Sequence, residues 1–178
     1  MNALIIIDAQ NEFSENGKRP VVNLLDALGV IHLRVEEARL KKTPIAWVRH
    51  FNKPNESKAF VPGSWGAEFL PGLGPLTDAV NEEEFHKDVY GAFTGTKIGE
   101  WLNQKDAKGI LITGFYTHGC VSTTAREAIM TGLNVFIDAN GTGSCDMSHE
   151  LLGSLTADEV RRSALLQLAN MGAIITTL

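Results

Sequence analysis

The sequence predicts an α/β fold, a mostly parallel sheet covered by helices on both faces. Two observations carry this expectation. Short β-prone apolar runs alternate with longer stretches of helical period along the whole chain, and several of those runs are continuous, as in strands buried on both faces. The 178 residues also fit one domain, 1–178, around one core, with no repeat or low-complexity tract to divide them.

The elements follow in order. Ala3-Leu4-Ile5-Ile6-Ile7 is an unbroken β-prone run ending at Asp8, and it reads as a central strand. Across residues 21–42, Val22, Leu25, Leu28, Val35 and Ala38 recur at mostly helical spacing, giving a long helix with a basic end that Thr43-Pro44 stops. Residues 45–48 read as the second strand. Residues 51–82 scatter Pro54, Pro62, Pro71 and Pro75 among glycines with no sustained period. A loop longer than about 15 residues in a compact domain is usually functional or disordered. This one carries Phe60, Trp65 and Phe69, so it reads as the wall of a pocket.

Residues 83–89 read as a short strand, 96–103 as a helix, and 109–113 as a buried strand closed by Gly114. Residues 120–131 read as a helix with Val121, Ala125, Ala128 and Ile129 on one face and Gly132 as its stop. A strand over 133–137, a loop over 139–154, and a helix over 160–171 behind the cap Thr156 and the acids Asp158 and Glu159 come next. Residues 173–177 read as the last strand.

Bulk properties narrow the function. A net charge of -5 gives no cationic footprint for nucleic acid or anionic membrane. No apolar stretch approaches the roughly 20 residues of a membrane span, and the amino terminus reads as a strand rather than a leader, so a cytoplasmic protein is expected. Cys120 and Cys145 lack metal-ligand spacing and are read as free thiols, Cys145 as structural.

In parallel sheets ligands bind beyond the carboxyl ends of the strands, which directs attention to Asp8, Lys87 and Cys120. Asp8 ends the first strand and is either a turn residue or a reacting carboxylate. Lys87 is either a solvated edge residue or a cation that steadies neighbouring anions. Cys120 is either a buried structural thiol or, at a helix amino terminus, a nucleophile whose pKa is lowered by the helix dipole.

Three motifs then carry a resemblance. Asp8-Ala9-Gln10-Asn11-Glu12-Phe13 resembles the D-x-Q-N-x-F opening of the isochorismatase-like cysteine hydrolases. Residues 85–93, from Phe85 through Lys87 to Gly91-Ala92-Phe93, resemble their lysine strand, K-x-x-x-S/G-A-F. Gly114-Phe115-Tyr116-Thr117-His118-Gly119-Cys120-Val121 resembles their nucleophile turn, G-x-x-T-x-x-C-V, followed by Thr124-Ala125-Arg126-Glu127-Ala128. Smaller similarities fall at Pro62-Gly63-Ser64, Asp138 and His149-Glu150, so the resemblance spans nearly the whole chain.

The resemblance implies a three-layer α/β/α sandwich of Rossmann-like type and a catalytic triad of Asp8, Lys87 and Cys120. It also implies a cis peptide at Phe115–Tyr116, with the backbone N–H groups of Tyr116 and Cys120 facing an oxyanion. It further implies a small-molecule substrate and a homo-oligomer, to which the apolar side of residues 24–35 would contribute. Nicotinamidases of this family hold a metal with an Asp-x-His pair and a further histidine. Trp47-Val48-Arg49-His50-Phe51-Asn52-Lys53 contains no such pair and residues 54–80 no histidine, so neither a metal nor another cofactor is expected.

With Cys120 present, the expected reaction is hydrolysis of an amide, carbamoyl or ureido C–N bond. The alternatives are isochorismatase-type vinyl ether hydrolysis, a non-catalytic binding or assembly protein on the same fold, and a redox pair of Cys120 with Cys145. Phe13, Trp65, Phe93 and Tyr116, with Phe51, are the expected pocket walls, and Arg49 or Lys53 the expected partner of a substrate carboxylate. His118 faces either the pocket or a partner subunit, and His50 is either a strand-end hydrogen-bonding residue or a substrate contact.

Overall fold

The computed structural model describes residues 2–178. Its elements are β1 (Ala3–Ile7), α1 (Leu24–Leu40), β2 (Ile45–His50), β3 (Glu82–Lys87), α2 (Ile98–Gln104), β4 (Gly109–Phe115), α3 (Ser122–Met130), β5 (Asn134–Gly143), β6 (Met147–His149), β7 (Gly153–Leu155), α4 (Ala157–Asn170) and β8 (Ile174–Thr176). Six strands form one sheet in the order β3-β2-β1-β4-β5-β8, every neighbouring pair parallel, while β6 and β7 form a separate antiparallel hairpin. β1 is central, and all five of its side chains are buried, as its unbroken apolar run requires.

Strand alternation divides the core into two layers. Ala3, Ile5 and Ile7 point to the layer built with Ile98, Trp101 and Leu102 of α2, Ala125 and Ala128 of α3, and Leu165 and Leu168 of α4. Leu4 and Ile6 point the other way, to Ala27, Ile31, Val35 and Ala38 of α1 with Trp47 and Phe115. This is the three-layer sandwich.

Several boundaries differ from the sequence reading. The buried stripe of α1 is Ala27, Ile31, Val35 and Ala38, whereas Leu25 is 79% exposed and Val22 49%. The register that buries Ile31 is anchored by Arg34, whose Nε lies 2.8 Å from the buried carboxylate of Asp138 at the end of the expected fifth-strand run. Gly114 lies inside β4 rather than closing it: its φ is +113°, and a Cβ there would run into the Ile7 carbonyl.

β5 continues six residues beyond the expected end. The register jumps from Ile112↔Ile137 to Gly114↔Thr142, and the residues between form a bulge. Asp138 Oδ1 closes it by accepting the N–H groups of Asn140 and Gly141. α4 starts at Ala157 behind a complete capping box between Thr156 and Glu159. Among the described residues, no helix is long and apolar enough to cross a membrane.

Candidate active site

Three strand ends meet at one point. Asp8 follows β1 in the left-handed region, φ +50°, with its own N–H held by the Val48 carbonyl at 2.9 Å. A non-glycine residue held there costs on the order of 1 to 3 kcal/mol, and such outliers cluster where a side chain must be aimed. Lys87 closes β3, 4% exposed. β3 is separated from β1 by β2, so Lys87 reaches over the end of β2 to place Nζ 2.7 Å from Asp8 Oδ2 and 3.2 Å from Cys120 Sγ. Nζ also lies 3.2 Å from the Val89 carbonyl and 3.1 Å from His50 Nδ1. With Oδ2 committed to Lys87, Asp8 Oδ1 is buried with no hydrogen-bond partner.

Cys120 is not the first residue of a helix. Residues 117–121 form an irregular turn interrupted by the non-helical Gly119, and α3 begins at Ser122. The thiol is correspondingly not acidified: burial and the Asp8 carboxylate push its pKa well up, and Lys87 offsets only part of this. At rest Cys120 is therefore a thiol beside the Lys87–Asp8 ion pair. Burial opposes the Lys87 charge, but the Asp8 carboxylate, joined by Cys120 once it ionises, outweighs it and raises its pKa.

The peptide bond Phe115–Tyr116 is cis. The Tyr116 carbonyl takes the N–H groups of Gly119 and Val121, leaving those of Tyr116 and Cys120 outside that pairing.

The residues around the three groups explain their motifs. Gln10 clamps the backbone of His50 from both sides, accepting its N–H at 2.8 Å and donating to its carbonyl at 3.0 Å, and also donates to Ala67. Asn11 donates to the Trp65 carbonyl, and buried Glu12 accepts from Lys18 N and Phe60 N. Gly66 packs directly against this side chain, where a Cβ would overlap the Glu12 carboxylate unless it moved. The opening motif thus fastens the long loop over β1 and β2. On the other side, Thr124 accepts the Ala92 N–H and Glu127 the Phe93 N–H, pinning the segment after Lys87 to α3. Thr117 donates to the Gly143 carbonyl and fixes the turn that carries Cys120 against β5.

The expected pocket walls separate into distinct roles. Phe13 is core: it is 3% exposed and ringed by Phe60, Phe115 and Tyr116. Arg49 is not free for a substrate carboxylate, because its guanidinium is bonded to Glu84, approaches Glu68 at 3.4 Å, and stacks on Phe51 and Phe69. Lys53 pairs with Asp88 at the surface. Trp65 is 55% exposed, and Phe93 and Tyr116 are half-buried, so these three keep faces that a ligand can reach. Tyr116 stacks on His118, which turns to Ser144.

His50 is the residue that sequence reasoning undervalued. It ends β2 in register with Lys87, directly beneath the bridge from Lys87 to Asp8. The strand order was the missing signal, because a lysine crossing from β3 to β1 must pass the end of β2.

Asp8, His50 and Cys120 are also the one convergent trio of metal-type donors among the described residues, with donor atoms within 4.8 Å of one another. They do not fit a metal ion, because the Lys87 ammonium lies within hydrogen-bond reach of all three and takes the place of a cation. A cleft of about 280 Å³ lies elsewhere, bordered by Asn23, Asp26, Ser144, Asp158 and Arg161, and none of the three strand-end residues lines it.

Comparison with known proteins adds to this geometry. A family model described as the Isochorismatase domain matches residues 2–178. The chain is 32% identical over 146 residues to the secreted isochorismatase effector Isc1 of Verticillium dahliae, covering 82% of this chain and 74% of that protein. It is 29% identical over 185 residues to nicotinamidase 3 of Arabidopsis thaliana, covering 92% and 88%. Among solved structures it is similar to an isochorismatase from Pseudomonas putida, with a TM-score of 0.88 and 29% identity over 99% of this chain and 88% of that one.

Proposed function

The chain belongs to the isochorismatase family and is a hydrolase, and from that premise we propose that it cleaves an amide, carbamoyl or ureido C–N bond of a small molecule through a covalent Cys120 intermediate. The observation that carries this reading is the Lys87 ammonium lying 2.7 Å from Asp8 Oδ2 and 3.2 Å from Cys120 Sγ while Asp8 Oδ1 is left without a partner. A thiol with a raised pKa needs a base at the moment of attack, and an unpartnered carboxylate oxygen is suited to be one.

In the proposed sequence Asp8 takes the thiol proton as Sγ bonds to the substrate carbon. Lys87 stays protonated and balances the negative charge passing between sulfur and carboxylate. The carbonyl oxygen becomes an oxyanion within reach of the N–H groups of Tyr116 and Cys120. Asp8 returns the proton to the leaving nitrogen as the C–N bond breaks. Water, deprotonated by Asp8, then attacks the thioester, the C–S bond breaks, and sulfur recovers the proton from Asp8. No step uses a metal. Trp65, Phe93 and Tyr116 are the proposed substrate walls.

The amide-acting name of the Arabidopsis relative supports C–N chemistry over vinyl ether hydrolysis. The single-domain organisation over 1–178, the cytoplasmic setting and the homo-oligomeric state expected from the sequence remain parts of this proposal.

The test is ammonia or amine release from a panel of small primary amides, N-carbamoyl and ureido compounds, run with the wild type and Cys120→Ala. The expected result is release by the wild type from at least one class, lost by at least 100-fold in the variant. Release that survives in Cys120→Ala, or cleavage of a vinyl ether alone, contradicts the proposal.

A further inference from the structure

Lys87 Nζ has four acceptors within reach and three N–H bonds: Asp8 Oδ2, His50 Nδ1, the Val89 carbonyl and Cys120 Sγ. One contact must go unserved. A neutral thiol sulfur is the weakest acceptor of the four, so at rest the hydrogens go to Asp8, Val89 and His50. A thiolate is a far stronger acceptor and takes one of them when the proton leaves.

The direction of every bond to His50 follows from its neighbours. Asn52 donates its amide N–H to the Ala59 carbonyl at 2.8 Å, which turns Oδ1 toward His50 Nε2 at 2.8 Å. Nε2 therefore carries the hydrogen, and Nδ1 is left as an acceptor for the ammonium. Gln10 holds the His50 backbone, and the Phe60 ring packs against the imidazole at 5.3 Å.

We propose that His50, held in its Nε2–H tautomer by Asn52, is a positioning residue that occupies the Lys87 hydrogen needed by the Cys120 thiolate, and so sets how readily the thiol gives up its proton. The inference rests on reading Asp8, Lys87 and Cys120 as the reacting groups. The titratable groups facing Sγ are Asp8 from the end of β1, His50 from β2 and Lys87 from β3. On the nucleophile's own turn, His118 is turned to Ser144, and the Tyr116 hydroxyl donates to the Pro20 carbonyl and neighbours Cys145.

The experiment is the rate of Cys120 alkylation by iodoacetamide against pH, followed by mass spectrometry, with Cys145 in the same spectra as an internal control. His50→Leu removes the acceptor, leaves the spare Lys87 hydrogen to sulfur, and is expected to lower the midpoint of the profile by about one pH unit. His50→Asn offers Oδ1 near the position of Nδ1 and is expected to return the midpoint to within a few tenths of the wild type. Asn52→Leu releases the tautomer and is expected to move the midpoint in the same direction as His50→Leu, by less.

A merely structural role predicts lower reactivity in all three variants and no rescue. An unchanged midpoint, an upward shift, or His50→Asn behaving as His50→Leu overturns the inference, and if His50→Leu does not fold, Asn52→Leu and His50→Asn decide. Asp8→Asn and Lys87→Met in the same series separate the two readings. If those shift the profile and His50 variants do not, only this inference fails; if none shifts it, the reading of the reacting groups fails as well.

Discussion

Cys120 keeps its proton at rest because burial and the adjacent Asp8 carboxylate both oppose a second anion. In the proposed mechanism Cys120 therefore depends on Asp8 more than on the helix behind it. Asp8→Asn is expected to lower turnover on any accepted amide by 100-fold or more, measured as ammonia release. That Asp8, Lys87 and Cys120 converge was legible in the sequence because each directly follows or closes a recognisable strand, or lies in a turn behind one. His50 was not, since a lone histidine acquires meaning only from the strands on either side. Arg49 and Phe13 were misjudged for a related reason: Glu84 and the ring cluster around Phe13 are brought to them by strand register and loop packing, which residue type does not display.

The long loop between β2 and β3 is held at two points by carboxylates, buried Glu12 and half-buried Glu82. Glu12 accepts from Phe60 N, and Glu82 accepts from Arg39 Nε and Nη2, the Trp47 indole and Leu76 N. Burial pushes the Glu82 pKa up, but the hydrogen bonds outweigh it and hold the carboxyl below its ordinary value. A depressed folded pKa contributes stability above the unfolded value near 4.5, and that contribution is lost as pH falls through the lower folded value. Glu82→Leu is expected to cost about 2 kcal/mol in urea unfolding at neutral pH, because Arg39, Trp47 and Leu76 N lose their acceptor. The deficit relative to wild type should shrink once the pH falls below about 4. Thr156→Ala, which removes the α4 cap, is expected to cost about 1 kcal/mol in the same assay.

Element types were read from the sequence with few errors, and the errors lie where tertiary pairing overrides local pattern. β5 runs six residues past its apolar stretch because β4 continues to offer partners across a bulge that Asp138 closes. α3 starts two residues late because the turn before it is bent at Gly119 to present Cys120.

Across the whole molecule, the strand order places the candidate site. β2 and β3 extend the sheet to one side of β1, β4 and β5 to the other, and the crevice between β1 and β4 is where an open parallel sheet takes its ligand. Asp8 and Cys120 come from the two strands flanking that crevice, with Lys87 reaching in from the β3 edge. The chain also leaves Leu151 and Leu152 86% and 85% exposed on the β6–β7 hairpin, with Leu25 exposed on α1. Light scattering is expected to give at least twice the mass of one chain, and a single-chain mass contradicts the proposed homo-oligomer.

The most direct test of the reacting groups is the pH profile of Cys120 alkylation in the wild type, Asp8→Asn and Lys87→Met, read at Cys120 by mass spectrometry. Asp8 raises the thiol pKa and Lys87 lowers it, so the profile should move to lower pH in Asp8→Asn and to higher pH in Lys87→Met. A Cys120 inert in the folded protein, or three superimposable profiles, contradicts the reading of Asp8, Lys87 and Cys120 as one reacting group.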